Sequence, residues 1–175
     1  MGAFELDADT THPSDFALLR DGGLAMYRHR PVLVEAEQEL RLLGYEDIRL
    51  DAHGWTEREL HDAFASALDF PEYYGRNLNA LADCLYDVAH GDYGWSAMST
   101  GLAVTVEGFG AFAEREPDLA TSVAEVLARA TSAGLLFGHR LVLLLQVNDG
   151  QFRLPPVGCF QVPWNRREWL NADRR

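Results

Sequence analysis

Apolar positions along this chain alternate between short continuous runs and helical spacing. Leu24 to His29 reads as a strand, and after Pro31 the pattern becomes amphipathic to about Leu43, where Gly44 can stop a helix. Asp47 to Asp51 reads as a second strand. Thr56 and Glu59 have the spacing of a capping box, and Leu60, Ala63, Phe64, Ala67 and Leu68 then recur at helical intervals until Pro71 ends the segment. Asn77 is placed to cap another helix, with Leu78, Leu81, Ala82, Leu85 and Val88 as its apolar face and its end near Gly91. Leu102 to Val106 is the next strand, followed by a short helix over Phe109 to Arg115 and a longer one from Asp118 to about Ala133, which Gly134 is expected to stop. Leu141 to Gln146 is aliphatic almost throughout, as befits a strand covered on both faces.

Strands alternating with helices predict an α/β fold with a small parallel sheet: three core strands, extended by the N-terminal strand and packed with helices. Residues 47–146 form the expected central domain. Residues 1–46 are an extension supplying a strand and a helix to the sheet, and residues 147–175 a tail that packs on the domain. From Gly150 onward the tail carries five arginines against Glu168 and Asp173, interleaved with Phe152, Phe160, Trp164 and Trp169. Beside an acidic domain, such a tail is expected to fold back rather than to bind nucleic acid.

Charge narrows the choice of partner. The chain has 175 residues and a net charge of −12, and a binder of phosphates needs the opposite sign. The expectation is therefore a basic protein partner and no nucleic acid. Half of the excess lies between Thr56 and Asp92, where Glu57, Glu59, Asp62, Asp69, Glu72, Asp83, Asp87 and Asp92 face only Arg58 and Arg76. The longest aliphatic run is Leu141 to Leu145, too short for a membrane span, and the first twenty residues lack a basic start followed by an apolar stretch. The chain reads as cytoplasmic. Cys84 and Cys159 fall in no metal-ligand spacing and are expected as reduced, unpaired thiols.

No catalytic constellation accompanies this pattern. The sequence contains no nucleophile elbow, no glycine-rich phosphate loop and no paired histidines at zinc spacing. His61, with Asp62 and Glu59, is expected as a surface cluster, and acids spaced like Asp83 and Asp87 are too common in so acidic a chain to mark an acid–base pair. The reading is a non-enzyme without cofactor or metal.

The segment Phe70 to Leu85, FPEYYGRNLNALADCL, is far more specific. It resembles the inhibitor segment of the barstar family, whose hallmark is a Pro-Glu-Tyr-Tyr-Gly turn followed by Asn-Leu-x-Ala-Leu and Asp-Cys-Leu on a helix. Pro71, Glu72, Tyr73, Tyr74, Gly75, Asn77, Leu78, Ala80, Leu81, Asp83, Cys84 and Leu85 stand at the family's positions without a gap. The resemblance continues more loosely from Asp47 to Gln146. It implies a three-stranded parallel sheet with packed helices and a protein that plugs the active site of a ribonuclease. In that family an aspartate matching Asp83 stands in for the scissile phosphate, and the interaction site transfers to Tyr73, Gly75, Asn77, Leu78, Asn79 and Asp83, with Asp87 and Arg129 at its margin. Asn79, Asp83 and Asp87 are spaced to share one polar stripe opposite Leu78, Leu81 and Leu85. Asp62, on the neighbouring helix, is expected to act only through its long-range field.

Departures from the family pattern bear on the target. Asn79 replaces an acid of barstar, Ala82 and Val88 each replace a tryptophan, and Arg129 falls where barstar has a glutamate. Lost acids and aromatic area imply weaker binding to barnase itself and a different nuclease partner, a basic secreted ribonuclease or the nuclease domain of a toxin. Because fold does not fix function, a barstar-like scaffold serving as a non-nuclease binding or regulatory module is the alternative.

Overall fold

The computed structural model describes residues 13–96, 98–156 and 161–170. Four strands, β1 (Leu24–Tyr27), β2 (Tyr45–Asp51), β3 (Gly101–Glu107) and β4 (Leu141–Gln146), form one parallel sheet in the order β1-β4-β3-β2. Two helices, α1 (Ser14–Arg20) and α2 (Arg30–Leu42), cover one face. The other carries α3 (Glu57–Ala67), α4 (Leu78–His90), α5 (Phe109–Arg115) and α6 (Pro117–Phe137). The alternation of side chains along a strand makes this possible: Leu141, Leu143 and Leu145 of β4 enter the core beneath α3 to α6, while Val142 and Leu144 enter the core beneath α1 and α2. Among the described residues no helix is long and apolar enough to cross a membrane.

Several boundaries differ from those the sequence predicts. The first strand stops at Tyr27 rather than His29, because the N–H groups of Arg28 and His29 turn away from the sheet to the Glu168 carboxylate. Strand β2 begins earlier, at Tyr45, whose hydroxyl donates to the buried Asp15 carboxylate at 2.7 Å. Gly134 does not stop α6, which runs on to Phe137. Gly134 is buried inside the helix, where a β-carbon would make only an ordinary 3.4 Å contact with that of Leu141. The stop falls at Gly138, whose φ of +82° completes a Schellman turn: its N–H bonds the Leu135 carbonyl and that of His139 the Gly134 carbonyl. Helix α1 has no counterpart in the sequence reading.

A short helix, α7 (Arg166–Leu170), and the strand-like segment before it lie along β1. Met26 N–H bonds the Pro163 carbonyl and Asn165 N–H the Met26 carbonyl, so the outer edge of the sheet is partly paired. Glu168 is fully buried and accepts from the N–H groups of Arg28 and His29 at 3.0 and 2.9 Å, with His29 Nδ1 2.7 Å from its second oxygen. It thus caps the start of α2, where His29 offers no side-chain cap of its own. Arg167 grips Glu39 of α2 through both carboxylate oxygens, at 2.6 and 2.8 Å. Two of the described tail arginines pair with the protein's own acids, Arg166 with Asp21 and Arg167 with Glu39, while Arg153 bonds the Gly150 and Phe152 carbonyls.

Glu168→Ala orphans two backbone donors and a histidine. It should cost about 2–3 kcal/mol of unfolding free energy in urea titration, whereas a loss below about 0.5 kcal/mol would mean that the tail does not hold α2 in place.

Candidate protein-interaction site

The site is built from α4 and the turn before it. On α4, Leu81, Cys84, Leu85, Val88 and Ala89 are buried, and Leu78 packs partly against the same core. That apolar face fixes the rotation of the helix about its own axis, so Asn79 and Asp83 are left exposed. Asn77 Oδ1 accepts the Ala80 N–H at 2.9 Å, capping α4, and its amide donates to the Gly75 carbonyl at 3.2 Å. A β-carbon on Gly75 would meet Asn77 Nδ2 at 3.0 Å, so glycine lets the turn close onto the cap. At the far end Gly91, with φ +90°, stops the helix in a second Schellman turn.

Beneath the turn, Tyr74 points inward and Tyr73 outward. Tyr73 is 82% exposed, whereas Tyr74 is buried against Phe70, their ring centroids 4.9 Å apart. The Tyr74 hydroxyl lies 2.5 Å from Nδ1 of His61. This corrects the expectation for His61: the side chain is 1% exposed and faces the core, away from the surface on which Glu59 and Asp62 lie. The helical period accounts for the difference, since His61 directly follows Leu60 and stands three positions before Phe64, both fully buried. Burial holds the imidazole below its ordinary range and pushes the Tyr74 phenol above its own. Glu59 instead completes the capping box with Thr56. Asp62 bonds Arg76 at 2.7 Å, pinning a residue whose φ is +47°, and Arg58 lies 3.6 Å away. Asp62 therefore has a structural contact in the turn as well as a long-range field.

Asp83 has no ion pair among the described residues. It lines a shallow groove between α4 and α6 together with Ala82, Tyr86, Val126, Arg129 and Ala130. The groove brings two of the expected site residues, Asp83 and Arg129, to one place, although Arg129 pairs with Glu125 one turn before it. Asp87 lies apart from them: it is half-buried, and the Tyr93 hydroxyl donates to it at 3.4 Å while also reaching the Cys84 carbonyl. Tyr86, 52% exposed and beside Asp83 in the groove, is absent from the sequence reading, although its position three residues after Asp83 places it on the same side of the helix. Cys84 is a buried free thiol whose pKa burial raises, and Cys159 lies outside the described residues.

Comparison with known proteins bears on the span that contains this surface. The sequence model of the family described as "Barstar (barnase inhibitor)" matches residues 45–146, the span from β2 through β4. A Bacillus subtilis (strain 168) protein named "Putative ribonuclease inhibitor YrdF" is 69% identical over 26 residues. That stretch is 15% of this chain and 29% of the relative, so the chain matches less than a third of the relative's length.

The buried histidine carries a pH dependence. In the unfolded chain His61 titrates near 6.5, and folding lowers that value, so the stability due to its neutral form is present above pH 6.5 and is lost as pH falls through the folded pKa. Between pH 7 and pH 5 the wild type should lose more unfolding free energy than His61→Asn, which keeps an acceptor near Nδ1 but cannot be protonated. Parallel curves for the two proteins would show that His61 is not desolvated.

Proposed function

The chain belongs to the barstar family, and on that footing we propose that it is a proteinaceous inhibitor which binds a basic ribonuclease and blocks its active site with the acidic face of α4. The observation that carries this reading is Asp83, an exposed carboxylate without an ion pair among the described residues, on a helix whose opposite face is locked into the core. Such a group is desolvated only on binding. It is matched to the cationic cluster with which a nuclease holds a phosphate, because arginine and imidazolium donors bond a carboxylate much as they bond a phosphoryl oxygen.

Tyr73 supplies the apolar contact. Its ring projects from a turn held by three independent constraints, the Asn77 cap, the Tyr74–His61 contact and the Arg76–Asp62 pair, so little conformational entropy remains to be lost on docking. Asn79 and Leu78 border the same helix start, Arg129 lies with Asp83 in the groove, and Asp87 stands at the margin. A net charge of −12 steers a basic enzyme toward this face before contact is made. The target is a secreted ribonuclease or the nuclease domain of a competition toxin, held inactive in the cytoplasm of the cell that makes it.

Titration against barnase and other basic guanyl-specific ribonucleases tests the assignment. For the enzyme inhibited most tightly, Asp83→Ala should leave the urea midpoint unchanged and weaken binding by about 3–7 kcal/mol. That scale is taken from close charge pairs in the barnase–barstar complex itself. Glu57→Gln removes an exposed acid on α3 that has no ion pair among the described residues. It should slow association by less than about threefold, an effect that added salt erases, and leave dissociation untouched. Equal effects of the two substitutions on the dissociation rate would reduce the acidic face to a long-range field and remove the phosphate-mimic role.

A further inference from the structure

Large apolar side chains are exposed on the described surface at few places, and four of them gather at the C-terminal ends of α4 and α6: Tyr86, Leu135, Leu136 and Phe137. Leu136 is 86% exposed. Tyr86 and Phe137 meet edge to face with ring centroids 5.3 Å apart, and His90 lies 4.7 Å from Phe137 across the same ring. These residues are not a loose loop. Helix α6 continues through them and is stopped only at Gly138, so Leu135 to Phe137 are held in helical geometry. The core does not require them to be apolar, since α6 buries its preceding turns through Val123, Leu127 and Ala130, while Leu135, Leu136 and Phe137 are exposed.

The patch is continuous with the groove that holds Asp83, because Tyr86 belongs to both. Small side chains, Ala82 and Ala130, leave the floor of that groove open beside Val126. The seam between α4 and α6 therefore has a carboxylate near its middle and an exposed apolar ledge at one end. Its flanking cation, Arg129, is already neutralised by Glu125. Charge selects among possible occupants. A second copy of this chain carries the same net charge of −12 and is repelled on approach, whereas a basic protein is attracted.

We infer that the seam is a second anchor for the basic ribonuclease engaged at Asp83, and that it receives an aliphatic or aromatic side chain of the enzyme on Tyr86, Leu136 and Phe137. This rests on the inhibitor reading above, and it adds a feature outside the turn and helix start: the end of α6 sets which nuclease fits. Apolar anchors beside a desolvated charge pair exclude water from that pair and carry much of the interface energy.

The test uses the full chain and the ribonuclease, barnase or another basic guanyl-specific enzyme, that it inhibits most tightly. Leu136→Asp alters a side chain that is almost fully solvated, so the urea midpoint should hold. The added negative charge would by itself favour a basic enzyme. The inference nevertheless expects the inhibition constant to rise about tenfold or more, mainly through faster dissociation, with Phe137→Ala acting in the same direction. If Leu136→Asp inhibits like the wild type while Asp83→Ala does not inhibit, the seam is no anchor and the inhibitor reading stands. Concentration-dependent dimerisation in sedimentation that Leu136→Asp abolishes would assign the ledge to a second copy and overturn the inference. Failure of the wild type to inhibit any of these enzymes, or any of a panel of basic toxin nuclease domains assayed beside them, removes both.

Discussion

The burial of one side of α4 is the constraint on which the proposed interaction surface depends. Leu81, Leu85 and Val88 lie in the core between the sheet and α6, and this fixes both the height and the rotation of the helix. Every outward group follows from it. Asp83 points to water because Cys84 and Leu85 do not, and Tyr86 borders the same groove because it stands one turn further along. A charged group on a mobile loop would lose affinity to the entropy of ordering it, whereas here that ordering accompanies folding. The capped start at Asn77 and the Schellman stop at Gly91 keep both ends from fraying.

The Tyr74–His61 contact plays a similar part for the turn. It places a polar pair beneath the segment that carries Tyr73, and Nε2 of His61 has no hydrogen-bond partner among the described residues. A buried, under-satisfied imidazole costs stability. Its position ties the geometry of the turn to its own neutral state, so acid acts on the turn and on the fold through one group.

Much of the architecture was legible because local signals and burial agree. The aliphatic run in β4, the Thr56–Glu59 capping box and the Asn77 cap each point to the element that forms. What escaped depends on contacts distant in sequence. Nothing near Glu168 shows that it will satisfy Arg28 and His29, and nothing near Gly134 shows that the helix will run past it and that Gly138 will take the left-handed turn. His61 was misread because its neighbours Glu59 and Asp62 are exposed on the same helix, and only the angular step between consecutive residues turns it inward. In the candidate site, the Asn77 cap and the outward position of Asp83 were legible from helical spacing, whereas Tyr86 and the apolar end of α6 emerged only once α4 and α6 lay side by side.

Residues outside the matched span 45–146 also have a physical role. Strand β1 adds to the sheet beside β4, α1 and α2 cover the face opposite α4, and the tail pairs with the outer edge of β1. This leaves the acidic face of α4 and α6 free for a partner. The claim that Asp83 takes the place of a phosphate is tested most directly by competition. The dissociation constant of the wild-type chain for the ribonuclease it inhibits should be measured at increasing concentrations of guanosine 3′-monophosphate. The account predicts that it rises in proportion to nucleotide once the enzyme's phosphate site fills. An unchanged dissociation constant at saturating nucleotide would place the chain elsewhere on the enzyme and contradict it.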